Sequence, residues 1–168
     1  MEIVIETERL ILRKFTLDDA AFMLELLNTP AWLRFIGDRN VRAIEEADQY
    51  LLDGNIKSYQ EYGFGFYVVV IKETNESIGT CGIKKREGLD DIDIGFGFFP
   101  KFMGNGYGYE AASATLDYAL NVLKIKRIVA IVDPENVASI GLIKKIGLQF
   151  EKMIQLSQKD IELMLFSI

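Results

Sequence analysis

The sequence contains no histidine and a single cysteine, Cys81, and both scarcities exclude chemistry. Without imidazole there is no Ser-His-Asp or Cys-His nucleophile and no histidine-based metal site. One thiol can build neither an internal disulfide nor a multi-cysteine zinc site, so no metal is expected. Proton transfer is left to Asp, Glu, Lys, Tyr, Cys, a backbone group or water. Cys81 lies in the strand-like "SIGTCGI" and reads as a small packed residue. Long apolar runs are also lacking: none approaches the roughly 20 residues that span a bilayer, so no membrane partner is expected. The opening "MEIVIETERLILRK" is acidic early and alternates, unlike a secretion signal, and a cytoplasmic protein is the expectation. Basic charge is short as well. Lys+Arg number 19 against 25 Asp+Glu, a net charge of -6. That balance weighs against a nucleic-acid surface and fits solubility or a cationic partner.

What is present reads as one domain over residues 1–168, with 49% hydrophobic and 26% charged residues and no repeat, linker or low-complexity segment. "ERLILRKF" alternates as a strand does. "TLDDAAFMLELLN" reads as a helix, with Thr16 at its N-cap and Asp18 and Asp19 in the positive first turn. A short helix over "PAWLRFI", a loop "GDRN" and a helix over "AIEEADQYLLDGNIKSYQEY", interrupted by Gly54, follow. Then the period changes. "FGFYVVVIKE", "SIGTCGIKKR" and "IDIGFGFFP" predict three strands of an antiparallel meander, with turns at "TNES" and "EGLDD". Residues 109–123 carry an apolar helical face from Ala111 to Leu123. "KRIVAIV" is a short buried strand. "NVASIGLIKKIG" is a helix framed by Asn136 and Gly147, and "LQFEKMIQL" and "IELMLFSI" form a closing hairpin.

Between the third meander strand and the helix at 109 stands "GNGYG", residues 104–108. Glycine there costs backbone entropy, which needs a reason. A helix N-terminus offers unpaired N–H groups and partial positive charge, so bare backbone beside it suits a phosphate. A Walker loop is excluded, because no Gly-Lys-Ser/Thr follows. A dinucleotide fingerprint is excluded by the G-x-G-x-G spacing and the antiparallel context. From spacing alone, a phosphate cradle and a tight strand–helix packing turn both remain.

Four stretches taken in order carry a resemblance. "MGNGYGYEA" resembles the Q/R-x-x-G-x-G/A loop of the GNAT N-acetyltransferases, and more closely the "WGKGYATEA" of their RimJ/RimL-like branch. "TERLILRKFTLDDA" resembles that branch's opening. "SIGTCGI" with "DIGFGF" resembles its central strands, and "DPENVASIGLIKKIGL" its "NxxSxxLxxKxGF" segment. The resemblance covers nearly the whole chain. It implies an α+β fold: a central, mixed and mostly antiparallel twisted sheet of about seven strands, flanked by helices and splayed to admit acyl-CoA. It implies transfer of an acetyl group from acetyl-CoA to a primary amine within a ternary complex. The chain departs from the pattern at Met103, at Gly108 and Tyr109, and at Leu148.

The resemblance also implies site residues. Gly104, Asn105, Gly106, Tyr107, Gly108 and Tyr109 would hold the pyrophosphate, and the main chain of Phe98 and Phe99 would pair with the pantetheine arm. Asn136 would bond a pantetheine amide, and Ser139 would lie near the thiol and supply its proton, since Ile143 occupies the position where many relatives carry a tyrosine. Asp93 aligns with a strand glutamate and could act as base through water, although with Asp91 it reads equally as an exposed acidic turn. Glu110 reads as structural. Trp32, Phe35, Tyr59, Tyr62 and Phe64, all from residues 29 to 65, are candidates for the acceptor wall. The acceptor could be a protein N-terminus, a polyamine or an aminoglycoside-like compound. A non-catalytic acyl-CoA-binding regulator is the rival of another class, and a homodimer is a further expectation.

Overall fold

The computed structural model describes residues 1–157 and 161–168. Eight strands form one sheet: β1 (Ile3–Glu6), β2 (Leu10–Lys14), β3 (Phe66–Ile71), β4 (Ser77–Lys84), β5 (Ile92–Phe98), β6 (Ile128–Val132), β7 (Gln149–Ile154) and β8 (Leu163–Ser167). Their spatial order is β1-β2-β3-β4-β5-β6-β8-β7. Neighbours run antiparallel except β5 and β6, which are parallel. The meander and the terminal strand pair stand as expected; part of the connection between β7 and β8 lies outside the described residues. The sheet exceeds the expected seven strands by β1, a four-residue edge strand exposed at both ends.

The helices are α1 (Ala20–Leu27), α2 (Pro30–Phe35), α3 (Ile44–Leu51), α4 (Lys57–Tyr62), α5 (Tyr107–Asp117) and α6 (Val137–Lys145). A 3-10 turn over Leu17–Asp19 leads into α1. Thr16 caps it, and the Asp19 carboxylate returns to the Thr16 N–H at 2.9 Å, a reciprocal capping box. Gly54 does not break the second long helix. It sits in a π-helical turn, Leu52–Ile56, that joins α3 to α4. A second such turn, Tyr118–Val122, extends α5.

Strand β3 shows why helices cover both faces. Its residues from Tyr67 to Ile71 are all buried, so neither face can meet water. Tyr67, Val69 and Ile71 pack toward Ala111 and Ala112 of α5. Val68 and Val70 point the other way, toward Met23 and Leu27 of α1 and Ala47 and Leu51 of α3. Cys81 is enclosed on the α5 side, where its sulfur lies 3.3 Å from the Thr115 hydroxyl; burial pushes the thiol up to about 12, which leaves it inert at neutral pH.

The feature that makes a site is a failure of pairing. Strands β5 and β6 match only at Ile92 with Ile128 and Asp93 with Val129. Beyond that point β5 stays on β4 as far as Phe98, and β6 stays on β8 as far as Val132. The two halves of the sheet part like a V whose apex is Asp93. Ile128, fully buried, secures that apex and accepts the Ile168 N–H at 3.1 Å. Ile128→Ala should therefore cost about 2–5 kcal/mol, read as a lowered midpoint in denaturant unfolding. A loss under about 1 kcal/mol would show that the core refills and that the apex is not a packing keystone.

Candidate active site

One arm of the V is the free edge of β5. The Phe99 N–H donates to the Ile78 carbonyl at 3.0 Å, so it points to β4. Successive peptide groups on a strand face opposite edges, and those of Phe96 and Phe98 therefore face the gap. The Phe99 carbonyl accepts the Phe102 N–H at 3.0 Å. Both main-chain groups of Phe99 are thus engaged inside the protein. Of the two residues expected to pair with an extended ligand, the structure leaves Phe98 and adds Phe96, which the alignment of motifs had passed over.

The β5 edge runs directly into the glycine loop. Gly104 and Gly106 hold φ of +79° and +81°, conformations that side chains with a Cβ rarely adopt. A Cβ on Gly104 would meet nothing within 4 Å, so its backbone borders open space. Gly106 is the N-cap of α5 and supplies no side chain to the helix N-terminus. The first intrahelical bond is from the Glu110 N–H to the Gly106 carbonyl, 3.0 Å. That leaves the N–H groups of Tyr107, Gly108 and Tyr109 without helical partners, with the helix dipole behind them. Gly108 meets the other description. A Cβ there would lie 3.2 Å from Leu142 of α6 and 3.6 Å from the Phe98 ring, so this glycine lets α5, α6 and the end of β5 close together. The packing-turn reading holds at Gly108, whereas Gly104 and Gly106 leave the bare backbone that a phosphate cradle would need.

The loop is anchored from behind. The Glu110 carboxylate accepts from Thr7 Oγ1 at 2.7 Å, the Arg9 N–H at 2.8 Å and Arg9 Nε at 2.7 Å. The same Arg9 donates to the Asn105 carbonyl at 3.0 Å and lies over the Tyr107 ring at 4.5 Å. The turn between β1 and β2 thus clamps the first turn of α5, and Glu110 is structural as expected. Burial alone would raise the Glu110 pKa, but the bonds from Thr7 and Arg9 outweigh it and hold the carboxyl below its ordinary range. Arg9 was missed because it lies nearly a hundred residues from the loop it holds. The available signal was the unpaired arginine in "TERL".

Across the gap stands α6. Asn136 is its N-cap, and its side-chain oxygen accepts the Ser139 N–H at 3.3 Å. The Asn136 amide N–H groups and the Ser139 hydroxyl have no bond to a described residue, and both residues are half-buried. Ile143, on the same helix, is in the core. Tyr109, exposed, reaches toward α6 with Lys145 over its ring at 4.4 Å.

Asp93 is not part of an exposed acidic turn. It is 1% exposed and is held by Arg86 at 3.2 and 3.4 Å. Burial raises its pKa against the opposing pull of Arg86 and Lys84. Its face of β5 continues through Gly95 and Gly97, which lie under the rings of Phe66 and Trp32; a Cβ on Gly97 would meet Trp32 at 2.6 Å. The Trp32 indole N–H is buried with no acceptor among the described residues. Helix α2, which carries Trp32 and Phe35, also sends Arg34 to Glu135, ahead of α6, at 3.5 Å. The remaining aromatic candidates do not join Trp32. Tyr59 stacks on Tyr67 with centroids 5.7 Å apart, and its hydroxyl takes the Phe15 N–H at 3.1 Å and donates to the Phe66 carbonyl. Phe64 is buried against Ile83 and Ile94 on the α5 side, with the exposed Tyr62 stacked on it.

Comparisons with known proteins agree with this geometry. Residues 9–149 match the family described as the acetyltransferase (GNAT) domain. YkkB of Bacillus subtilis is 33% identical over 159 residues, which covers 92% of this chain and 90% of that protein. The protein named uncharacterized N-acetyltransferase p20, of Bacillus licheniformis, is 32% identical over 152 residues, 89% and 84% of the two chains. Among solved structures, an acetyltransferase of Agrobacterium tumefaciens has a TM-score of 0.85 at 22% identity, covering 100% of this chain and 94% of that one. RimL, a ribosomal-protein α-N-acetyltransferase in complex with coenzyme A, has a TM-score of 0.84 at 20% identity, covering 99% and 97%.

The clamp behind the loop is testable by pH. Because the folded Glu110 pKa is depressed, its stabilisation is complete above the unfolded value of about 4.3 and disappears as pH falls through the folded one. Glu110→Gln should melt a few degrees below the wild type at pH 7, with the gap closing toward pH 3. A gap that is absent at pH 7, or constant down to pH 3, would refute an ionised clamp.

Proposed function

The chain belongs to the acetyltransferase (GNAT) family, and from that premise we propose that it transfers the acetyl group of acetyl-CoA to the primary amine of a protein N-terminus or a small molecule. It is an acyl-CoA-dependent acetyltransferase; the amine and the residue roles below are our reading. One observation carries it. The free peptide edge of β5 at Phe96 and Phe98 runs straight onto the uncapped N-terminus of α5. An extended amide-bearing chain ending in a pyrophosphate needs those two surfaces in that order.

The residues fit such a ligand. The backbone N–H groups of Gly104, Asn105, Gly106, Tyr107, Gly108 and Tyr109 would hold the phosphates, while the Asn105 side chain ties the loop to Phe102 and Met103. Arg9 adds a cation behind a loop where Met103 has none. The main chain of Phe96 and Phe98 would pair with the pantetheine, and the Asn136 amide would bond it from the facing arm. When bound, acetyl-CoA supplies the thioester carbon that the amine attacks. An N–H on the β5 edge polarises the carbonyl oxygen. Asp93 takes the proton of the amine through a chain of waters, and its raised pKa brings it nearer to neutrality, where a base works best. The Ser139 hydroxyl relays a proton from water to the departing thiolate. Trp32 lines the acceptor side. Tyr59 and Phe64 pack on the other side of the sheet and Tyr62 lies exposed on Phe64, so these three would not contact the acceptor. No helix among the described residues is long and apolar enough to cross a membrane. One cytoplasmic domain of the RimJ/RimL-like branch is the setting we propose. Free coenzyme A released from acetyl-CoA in the presence of an amine panel tests the whole reading; binding without release would favour a regulator.

Two substitutions test its parts. Gly104→Asn keeps a residue that tolerates positive φ while placing a side chain in the open space over the loop. Acetyl-CoA affinity should drop tenfold or more by calorimetry, with the melting temperature nearly unchanged; unaltered affinity would end the cradle reading. Asp93→Asn should lower kcat by about 100-fold or more. It should also abolish the acid limb of the kcat/KM profile, since the wild type gains activity as pH rises through the Asp93 pKa. A variant that keeps that limb would assign it to another group.

A further inference from the structure

The acceptor side of the sheet carries more positive charge than Asp93 needs. Lys84 is the cross-strand partner of Asp93, so the two side chains share a face. Arg86 already pairs with Asp93. Arg39, from the loop after α2, is near enough for its charge to act on Lys84. Neither Lys84 nor Arg39 makes a hydrogen bond or salt bridge to a described residue. The acids that could offset them are committed or apart. Asp38 is held by Arg42 at 2.6 Å and Asp91 by Arg127 at 3.0 Å. Glu87 and Asp90 lie exposed in the β4–β5 turn, with no bond to the three cations. Lys84 and Arg86 thus flank one carboxylate, and Arg39 adds its charge on the side of Lys84, in a chain whose net charge is -6.

We propose that Lys84, Arg86 and Arg39 receive a carboxylate on the acceptor, so that the substrate is an amino acid or a short peptide whose acid group stands off from the reacting amine. The length follows from the strand. From Asp93, beside the cations, to Phe96, on the free edge, is three residues, roughly 10 Å at a strand's rise. An acid group at about that distance from the nitrogen is what a dipeptide with an acidic second residue provides. The same cluster assists the chemistry. Like charges disfavour an ammonium ion, so an amine drawn in by its carboxylate enters a field that lowers its pKa toward the free, nucleophilic form. Lys84 itself responds to that field: desolvation, then repulsion from Arg86 and Arg39, lower its pKa against the pull of Asp93. A polycation such as a polyamine would be turned away, a specificity made by repulsion as well as by attraction.

This inference rests on the N-acetyltransferase reading, and one assay separates the two. Release of coenzyme A is followed with alanyl-glutamate, with alanyl-glutamine amide in which both carboxylates are neutral, and with a polyamine. The wild type should show kcat/KM at least tenfold higher for alanyl-glutamate than for the neutral peptide, and the preference should shrink with added salt. Lys84→Met combined with Arg39→Gln, checked as folded by circular dichroism and by unchanged acetyl-CoA affinity, should reduce it below about threefold, a loss of binding felt in KM more than in kcat. Equal kcat/KM for the two peptides in the wild type, or a preference that survives in the double variant, overturns the inference and leaves the transferase reading intact. No release with any amine overturns both.

Discussion

The structure depends on a pairing that stops. After Ile92 with Ile128 and Asp93 with Val129, strands β5 and β6 have no further partners in each other. Everything used for binding follows from that. Peptide groups that would have been spent inside a sheet are left at Phe96 and Phe98, the wedge between the arms is open to an extended ligand, and the last paired carboxylate sits at its apex. An unpaired strand edge is a hazard in most proteins, because it invites another chain. Here the edge borders a narrow wedge beside α5 and α6, so that what fits it is a slender ligand.

The arms could not stay apart without supports, and each support joins segments distant in sequence. Gly108 lets α6 and Phe98 approach α5, which fixes the loop against the end of β5. Arg9 and Thr7 grip Glu110 and the Asn105 carbonyl from the β1–β2 turn, which aims the loop's N–H groups outward by occupying its carbonyl side. The two contacts work on opposite sides of the same five residues. Glycine is used there for two separate reasons: at Gly104 and Gly106 for a backbone turn that few other residues make, and at Gly108 for lack of volume.

Local physics was the legible part of the sequence. The Thr16 cap, the Asn136 cap, the period-2 runs of the meander and the helical face after residue 109 are set by neighbours a few residues away, and they stand where their patterns placed them. The order of motifs carried the family, and with it the loop. What could not be read was long-range or depended on which way a group points. β1 is short and half polar, and gains its place only by pairing with β2. "FGFF" shows no sign of which peptide groups face the gap; that is decided by the Phe99 bond to Ile78, which turns Phe99 to β4 and leaves Phe96 and Phe98 at the gap. Asp93 beside Asp91 reads as an exposed turn, yet Asp93 lies within β5 and is buried against Arg86, whereas Asp91 precedes the strand and pairs with Arg127. The aromatics between 29 and 65 scatter because a strand separates the surfaces they reach. Trp32 and Phe66 cover one face of β5, whereas Tyr59 and Phe64 pack on the other side of the sheet.

Alternation along β5 also accounts for how one strand could serve the two reactants we propose. On β5 the side chains of Ile92, Ile94, Phe96 and Phe98 go to the α5 and α6 side, where they are core. Asp93, Gly95 and Gly97 face α1 and α2, where the strand carries one charge and two glycines overlaid by rings. The peptide groups point along the sheet at right angles to both. Core packing, the acceptor face and the ligand-pairing edge are therefore three directions of the same seven residues, and a change in one need not disturb the others. The exception is Asp93, which is at once the end of the β5–β6 pairing, a buried charge that needs Arg86, and the group nearest the cleft's apex. Burial there raises its proton affinity, which would suit the base we propose; the same burial obliges the protein to gather cations around it. The surplus of those cations over one carboxylate is what turns a requirement of stability into a statement about the substrate.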